Sequence, residues 1–392
     1  MYIENLKLKN YRNFKNLNIK FDKNINIIYG NNAEGKTNIL ESIYFSATLK
    51  SHKNSKDSEI INFDEKETFI NLNLYKKNKE RIIDINLKKN KSKAVAIDKI
   101  KIDKLSDYIG FVNVIFFAPE DLNIIREGPK IRRKYIDFVI FQIDKIYIHN
   151  VNNYTKVLEN RNSLLKEINF TKDLEKKKEL LNTLDTWDIE LVKYGLEIIK
   201  KRKENIEYIK DIIKEKHKII SNNEEEVEVF YECDVEEENF LDKIKKEREK
   251  DIKYLYTSVG PHKDDLKFII KKNVDANVGV SSPQAHNRER ARTEEIDIRK
   301  FGSQGQKKTL AISLKLAEIE VIKKNKFITP ILLLDDVFSE LDEKRQKLLI
   351  DNIKDVQTII TCTGIKRNLY QNLKPDKIFH LHKGVIEEKN LL

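Results

Sequence analysis

The sequence predicts an α/β fold in which both ends of the chain build one sheet domain and the middle forms an inserted helical domain. Three observations lead there. Short β-rich runs fill the first 120 residues; long Lys- and Glu-rich helical patterns follow Pro119; and the last third alternates helix and strand again, with apolar runs at 331–334, 358–361 and 377–382 of the kind a buried parallel sheet requires.

In chain order, β-rich runs at 3–8, 17–21, 25–29, 68–74, 82–87 and 112–117 are separated by Asn, Asp, Lys or Gly, and one helix, 36–49, interrupts them. In the middle segment Leu184, Trp187, Leu191, Tyr194 and Ile198 share one helical face, which reads as a packing stripe rather than a ligand site. Glu224–226 and Glu236–238 mark exposed polar stretches, and the strand-like run 253–259 predicts re-entry into the first domain. The expected division is therefore 1–120 and 251–392 for the sheet domain and 121–250 for the insertion.

A chain of 392 residues, 40% hydrophobic, can bury a core in each of two or three domains. Lys and Arg outnumber Asp and Glu by 75 to 64, a formal charge of +11 that favours a polyanionic partner such as DNA or RNA. Lys, Ile and Asn enrichment runs through nearly the whole chain, so charge alone does not decide this. Cys233 and Cys362 lie far apart, and no Cys-x-x-Cys or Cys/His cluster offers zinc ligands or a disulfide framework, which fits a reducing cytosolic setting. Residues 2–8 alternate like a strand and lack a signal peptide's apolar run; no later segment approaches 18 uninterrupted apolar residues, so a soluble protein without a membrane partner is expected.

The chemistry is carried by two motifs. Gly30, Asn31, Asn32, Ala33, Glu34, Gly35, Lys36 and Thr37 match G-x-x-x-x-G-K-[ST] between a β-run and a helix, the context that motif needs. Glycines let backbone N–H groups wrap phosphates, the helix presents its positive end, Lys36 reaches the β and γ phosphates, and Thr37 is placed to ligate Mg²⁺; ATP is the expected ligand. The run 331–334 delivers Asp335 and Asp336 at its C-terminal end, where open α/β sheets bind ligands. Asp335 is expected to hold Mg²⁺, and Asp336 to orient or deprotonate the attacking water.

Between these motifs, Arg299-Lys300-Phe301-Gly302-Ser303-Gln304-Gly305-Gln306 leads into a helical run and resembles the signature of ABC-type ATPases. Together with Ser339-Glu340-Leu341-Asp342, Tyr11-Arg12-Asn13-Phe14 and Gly260-Pro261-His262-Lys263-Asp264-Asp265-Leu266, the chain resembles the RecF family of bacterial recombination mediators, with motifs in that family's order across both ends and the middle. The resemblance implies an ABC-type ATPase head with an inserted helical arm, ATP-dependent homodimerisation, binding to double-stranded and gapped DNA, and recombinase loading with RecR and RecO. It further implies that Arg12 approaches the nucleotide, that Ser303 and Gln306 complete the partner subunit's site, and that 339–342 crosses the dimer interface. Ser303 stands before a helix, where dipole and backbone donors favour an anion.

Asp336 stands where most ABC ATPases carry Glu, and Thr361-Cys362-Thr363 lies where many carry a switch histidine, so slow hydrolysis is expected, with Thr361 or Thr363 in the histidine's place. His262 and Asp264, after Gly-Pro, read as a turn rather than a metal pair. The segment 274–295 departs from the family: Arg replaces Lys, Ile is absent, and Ala, Ser, Pro and Gln cluster, which reads as an inserted loop whose Arg288, Arg290 and Arg292 face solvent rather than DNA. An overcoming-lysogenization-type nuclease is the alternative, but only residues 343–392 remain for its nuclease domain. A long coiled-coil chromosome protein has too little arm here, and the signature segment argues against a small-molecule kinase.

Overall fold

The computed structural model describes residues 1–53, 55–274, 292–364 and 367–389. The chain divides into two compact units, 1–123 with 308–392, and 124–307.

The first unit holds two six-stranded sheets. One is antiparallel and places Tyr2–Tyr11 between Phe14–Lys20 and Glu67–Lys76, continuing through Lys79–Lys88, Ala94–Ile97 and Ile100–Lys101. In the other, Ile25–Tyr29 lies between Lys377–His382 and Thr358–Cys362, followed by Ile331–Asp335 and Val114–Phe117, all parallel; Val385–Glu388 closes the edge antiparallel to Lys377–His382. Helix Lys36–Thr48 buries Ile39, Leu40, Ile43 and Phe45 in a core shared with both sheets, through Leu6, Leu8, Ile28, Leu333 and Ile359. Apolar area removed from water stabilises this layer by about 25 cal/mol per Å². The buried Gln357 joins strand ends far apart in sequence: its Oε1 accepts the Ile3 amide at 2.6 Å, and its Nε2 donates to the Ile3 and Asp22 carbonyls at 2.7 Å each.

Among the described residues the second unit is an antiparallel pair of long helices, Lys145–Phe170 and Leu174–Ile220, with Pro129–Ile143, the short helices Phe240–Lys246, Arg248–Tyr254 and Ile298–Phe301, and a three-stranded antiparallel sheet. Asp144 and Asp173 cap the long helices by accepting their first free amides. Leu184, Leu191 and Ile198 are buried, Trp187 packs against the cluster that holds Leu184, and Tyr194 is half-buried, so the stripe is mostly core.

Three sequence expectations are corrected here. The inserted unit reaches Lys307 rather than 250, because Asp265–Val274 pairs with Glu226–Glu232 inside it. The run 253–259 is not a strand: Arg248–Tyr254 is helical and Leu255 ends it with φ 65. The supposed loop 274–295 begins and ends in strands, since Val274 pairs with Arg292 and Lys271 with Glu295; residues 275–291, including Arg288 and Arg290, lie outside the described residues. Among the described residues no helix is long and apolar enough to cross a membrane.

Candidate functional site

The site begins where the buried strand Ile25–Tyr29 leaves the parallel sheet and helix Lys36–Thr48 starts. The loop between them is wound tightly. Gly35 has φ 107, and a Cβ there would lie 2.6 Å from Asn13 Nδ2 and 2.9 Å from the Phe14 ring; a Cβ at Gly30 would run into the Leu381 carbonyl. Ala33 is also left-handed, at φ 66. Glycine alone tolerates the first of these positions, which is why the motif's spacing was legible. Lys36 is buried and its Nζ donates to the Gly30 and Asn31 carbonyls, both at 2.7 Å, while Asn31, Asn32 and Ala33 form the exposed tip.

Side chains from elsewhere in the same unit brace the loop. Asn13 Nδ2 donates to the Glu34 carbonyl at 2.9 Å, and Asn38 Nδ2 to Asn13 Oδ1 at 2.8 Å. The Glu34 carboxylate accepts the Asn31 amide at 3.0 Å and lies 3.0 Å from His382 Nδ1. Desolvation pushes that carboxyl upward, but His382 and the Asn31 amide overcome it and hold it below its ordinary range. Sequence reasoning named Asn13 only within the Tyr11–Phe14 motif, without a role, and missed His382.

The second half of the site is the end of Ile331–Asp335. Its parallel neighbour pairs Asp335 with Thr361. Asp335 Oδ1 accepts hydroxyls from Thr37 at 3.0 Å and from Thr361 at 2.6 Å, so the two motifs meet at one oxygen. Asp336 follows in the left-handed region at φ 52; its amide reaches the Thr361 carbonyl at 3.1 Å and its carbonyl accepts from Ser339 Oγ at 2.6 Å. Burial, then the charge of Asp335, raises the Asp336 carboxyl above its usual range, the direction expected of a group asked to take a proton. The Cys362 thiol is pushed up to about 11 by burial and by Asp336, so it stays protonated. Thr363 is exposed.

Thr37 and Asp335 offer a hydroxyl and a carboxylate, the sparse oxygen set that Mg²⁺ takes when substrate phosphates supply the remainder. Among the described residues no group of three His, Cys, Asp or Glu could hold a metal by itself. The donor set therefore fits a cation that arrives with a phosphate ligand.

Arg12 makes different contacts from those of the loop. Its guanidinium forms a bidentate pair with the buried Glu41, at 2.9 and 2.8 Å, and donates to Ser55 Oγ at 2.9 Å and to the Glu59 carbonyl at 2.8 Å. Ser303 and Gln306 belong to the second unit. They form a capping box at the start of Gln304–Lys326: the Ser303 amide donates to Gln306 Oε1 at 2.8 Å and the Gln306 amide to Ser303 Oγ at 3.2 Å. In the segment 339–342, Asp342 caps Glu343–Asp351 and pairs with Arg345.

The pair His262 and Asp264 forms a turn, closed by the Lys263 amide on the Gly260 carbonyl at 2.8 Å. Both ring nitrogens of His262 are engaged, by Tyr154 Oη at 2.7 Å and the Thr257 carbonyl at 3.0 Å.

Comparison with known proteins agrees over the whole chain. The model of the RecF/RecN/SMC N-terminal domain matches residues 2–387. The DNA replication and repair protein RecF of Lachnospira eligens is 46% identical over 390 residues, covering all of both chains, and that of Clostridium tetani is 40% identical over 98% of this chain and 99% of its own. A solved structure of the recombination mediator protein RecF-ATPrS in the RecFOR pathway superposes with a TM-score of 0.85 at 33% identity, covering 99% of this chain and 98% of that one. An Smc head bound to the C-winged helix domain of ScpA shares the fold alone, with a TM-score of 0.56 at 17% identity.

Proposed function

Because this chain belongs to the RecF/RecN/SMC N-terminal domain family, and within it to the RecF proteins of DNA replication and repair, we propose that it is an ATP-switched DNA clamp acting at replication gaps. The observation that carries the reading is the meeting of Thr37 and Asp335 at 3.0 Å beside the wound loop that holds Lys36. Lys36 turns from the Gly30 and Asn31 carbonyls to the terminal phosphates, and the loop amides of 31–37 cradle them. Thr37 and Asp335 would hold Mg²⁺, which would supply neutralisation of charge on the phosphates. Asp336 orients the attacking water; an aspartate reaches less far than a glutamate, which agrees with slow, DNA-stimulated hydrolysis.

Two copies bind ATP between them, with Lys36 of one and the helix start at Ser303 of the other contacting the same γ-phosphate, and Arg12 nearby. Loss of that phosphate removes the differential affinity for the closed state and opens the clamp. The formal charge of +11 supports contact with double-stranded DNA beside single-strand gaps through its phosphates. RecO and RecR act with it in loading recombinase, and its work lies in the cytoplasm.

Sedimentation of the full chain, with and without ATP and a gapped duplex, tests the reading. The expected result is a single-chain mass alone, a doubled mass with ATP, and co-sedimentation with the duplex that falls steeply as salt rises. A single-chain mass under every condition, free of DNA, contradicts it.

A further inference from the structure

One side chain touches both acidic residues of the site and has no part in the function just proposed. Thr361, on Thr358–Cys362, is 1% exposed. Its hydroxyl has a single proton and two acceptors in range, Asp335 Oδ1 at 2.6 Å and the Leu334 carbonyl at 3.5 Å. The shorter bond, to a carboxylate, takes the proton. The lone pairs of the same oxygen then face the Asp336 amide at 3.2 Å, and the Thr361 carbonyl accepts that amide at 3.1 Å. One threonine therefore fixes the rotamer of Asp335 and the left-handed backbone of Asp336, a conformation that disfavours non-glycine residues.

The arrangement has a consequence for cation binding. At present Asp335 Oδ1 also accepts from Thr37. A cation bound by Thr37 would take a lone pair of that hydroxyl, which makes Thr37 a ligand, whereas Thr361 would hold the carboxylate from outside the cation's shell. Of the two hydroxyls on Oδ1, Thr361 makes the shorter bond, 2.6 Å against 3.0 Å. Outer-shell hydrogen bonds of this kind orient metal ligands, and losing one weakens metal affinity about tenfold to a hundredfold.

We propose that Thr361 is a positioning residue for the divalent cation that accompanies the nucleotide, aiming Asp335 at the metal and Asp336 past it. The proposal rests on the nucleotide-site reading above. It is tested on the full chain by titrating a fluorescent ATP analogue at a series of Mg²⁺ concentrations and in EDTA, for the unaltered protein, Thr361→Val and Thr361→Ser. Thr361→Val keeps the shape and removes the hydroxyl. Its affinity in EDTA should stay within about twofold, while the Mg²⁺ concentration at half-effect rises about tenfold; Thr361→Ser should restore it to within about threefold. An unchanged Mg²⁺ midpoint in Thr361→Val overturns the proposal, as does an equal loss in EDTA, or a serine variant that behaves like valine. Circular dichroism and thermal unfolding check folding, and if the valine variant does not fold, Thr361→Ala is judged by the same criteria. If the unaltered protein itself fails to bind the analogue, the nucleotide reading falls and takes this inference with it; if only the variants disagree, the reading stands.

Discussion

Arg202, in the unit 124–307, and Lys36, in the unit made from both chain ends, are both buried cations, and they differ in what surrounds them. Arg202 is spent wholly on protein acceptors that carry formal charge or a fixed dipole: Asp137 at 2.9 Å, Asp264 at 3.0 Å, the Tyr147 hydroxyl at 3.0 Å and the Pro261 carbonyl at 2.7 Å. Burial pulls its guanidinium down, yet Tyr147, Asp137 and Asp264 hold it well above the ordinary range, so it remains charged. Lys36 donates to two neutral carbonyls, and at the neighbouring strand end the Asp336 carboxyl is raised by burial first and by the charge of Asp335 second. A buried charge matched by protein counter-charges holds a fold together, whereas one left with neutral partners beside paired acids is prepared for a ligand that brings charge of its own.

That contrast is broken first at Arg202. Arg202→Met leaves the buried Asp264 and the half-buried Asp137 without their counter-charge and should cost about 3–5 kcal/mol of stability. The single tryptophan, Trp187, lies in the same unit, so denaturant unfolding followed by its fluorescence reads the loss directly. A change below about 1 kcal/mol would show that the network is ornamental.

Lys36→Ala makes the opposite prediction: stability nearly unchanged and ATP affinity reduced roughly a hundredfold, about 3 kcal/mol, as expected for losing a charged donor to phosphate. Equilibrium binding of a labelled nucleotide checks it, and unchanged affinity removes Lys36 from the site. Asp336→Asn is sharper, because it should keep nucleotide affinity within about threefold while slowing turnover about a hundredfold and prolonging the DNA-bound state. Phosphate release at saturating ATP decides this one.

A smaller effect lies at His262. Burial lowers its imidazole to about 4, from an ordinary value near 6.5. The unfolded chain therefore binds a proton that the folded chain refuses, so this ring's contribution is whole above pH 6.5 and is lost as pH falls toward 4. Between pH 7 and pH 5 it should account for about 2 kcal/mol of lost stability. His262→Asn should flatten the pH dependence of unfolding by that amount, and an identical slope in the variant would show that another group carries it.

How much of this was legible depended on separation along the chain. The phosphate loop and the acidic strand were readable because their constraints are local: φ 107 at Gly35 demands glycine, and four apolar residues followed by two acids mark a buried strand end. The residues that brace the site were not, since His382 reaches Glu34 from 348 positions away and Asn13 reaches it from 21. Thr361 stood out in the sequence only as a departure, and its bond to Asp335 comes from parallel strand register. The strand Glu226–Glu232 was hidden by its charges, although Val227 and Val229 alternate into the core. Missing that strand also moved the expected domain boundary, because Asp265–Val274 pairs with it.

The central claim, that ATP is bound between two copies of this chain, is tested most directly by mixing two inactive variants. Ser303→Arg removes the helix cap, at a cost of about 1 kcal/mol, and blocks the anion end of the helix, but keeps Lys36. Lys36→Ala keeps Ser303. Each alone should be inactive, and their mixture should regain part of the ATPase activity, because one of the two sites in the mixed dimer then combines an intact Lys36 with an intact Ser303. Full hydrolysis by Ser303→Arg as a single-chain species, or a mixture as inactive as its components, would contradict the account.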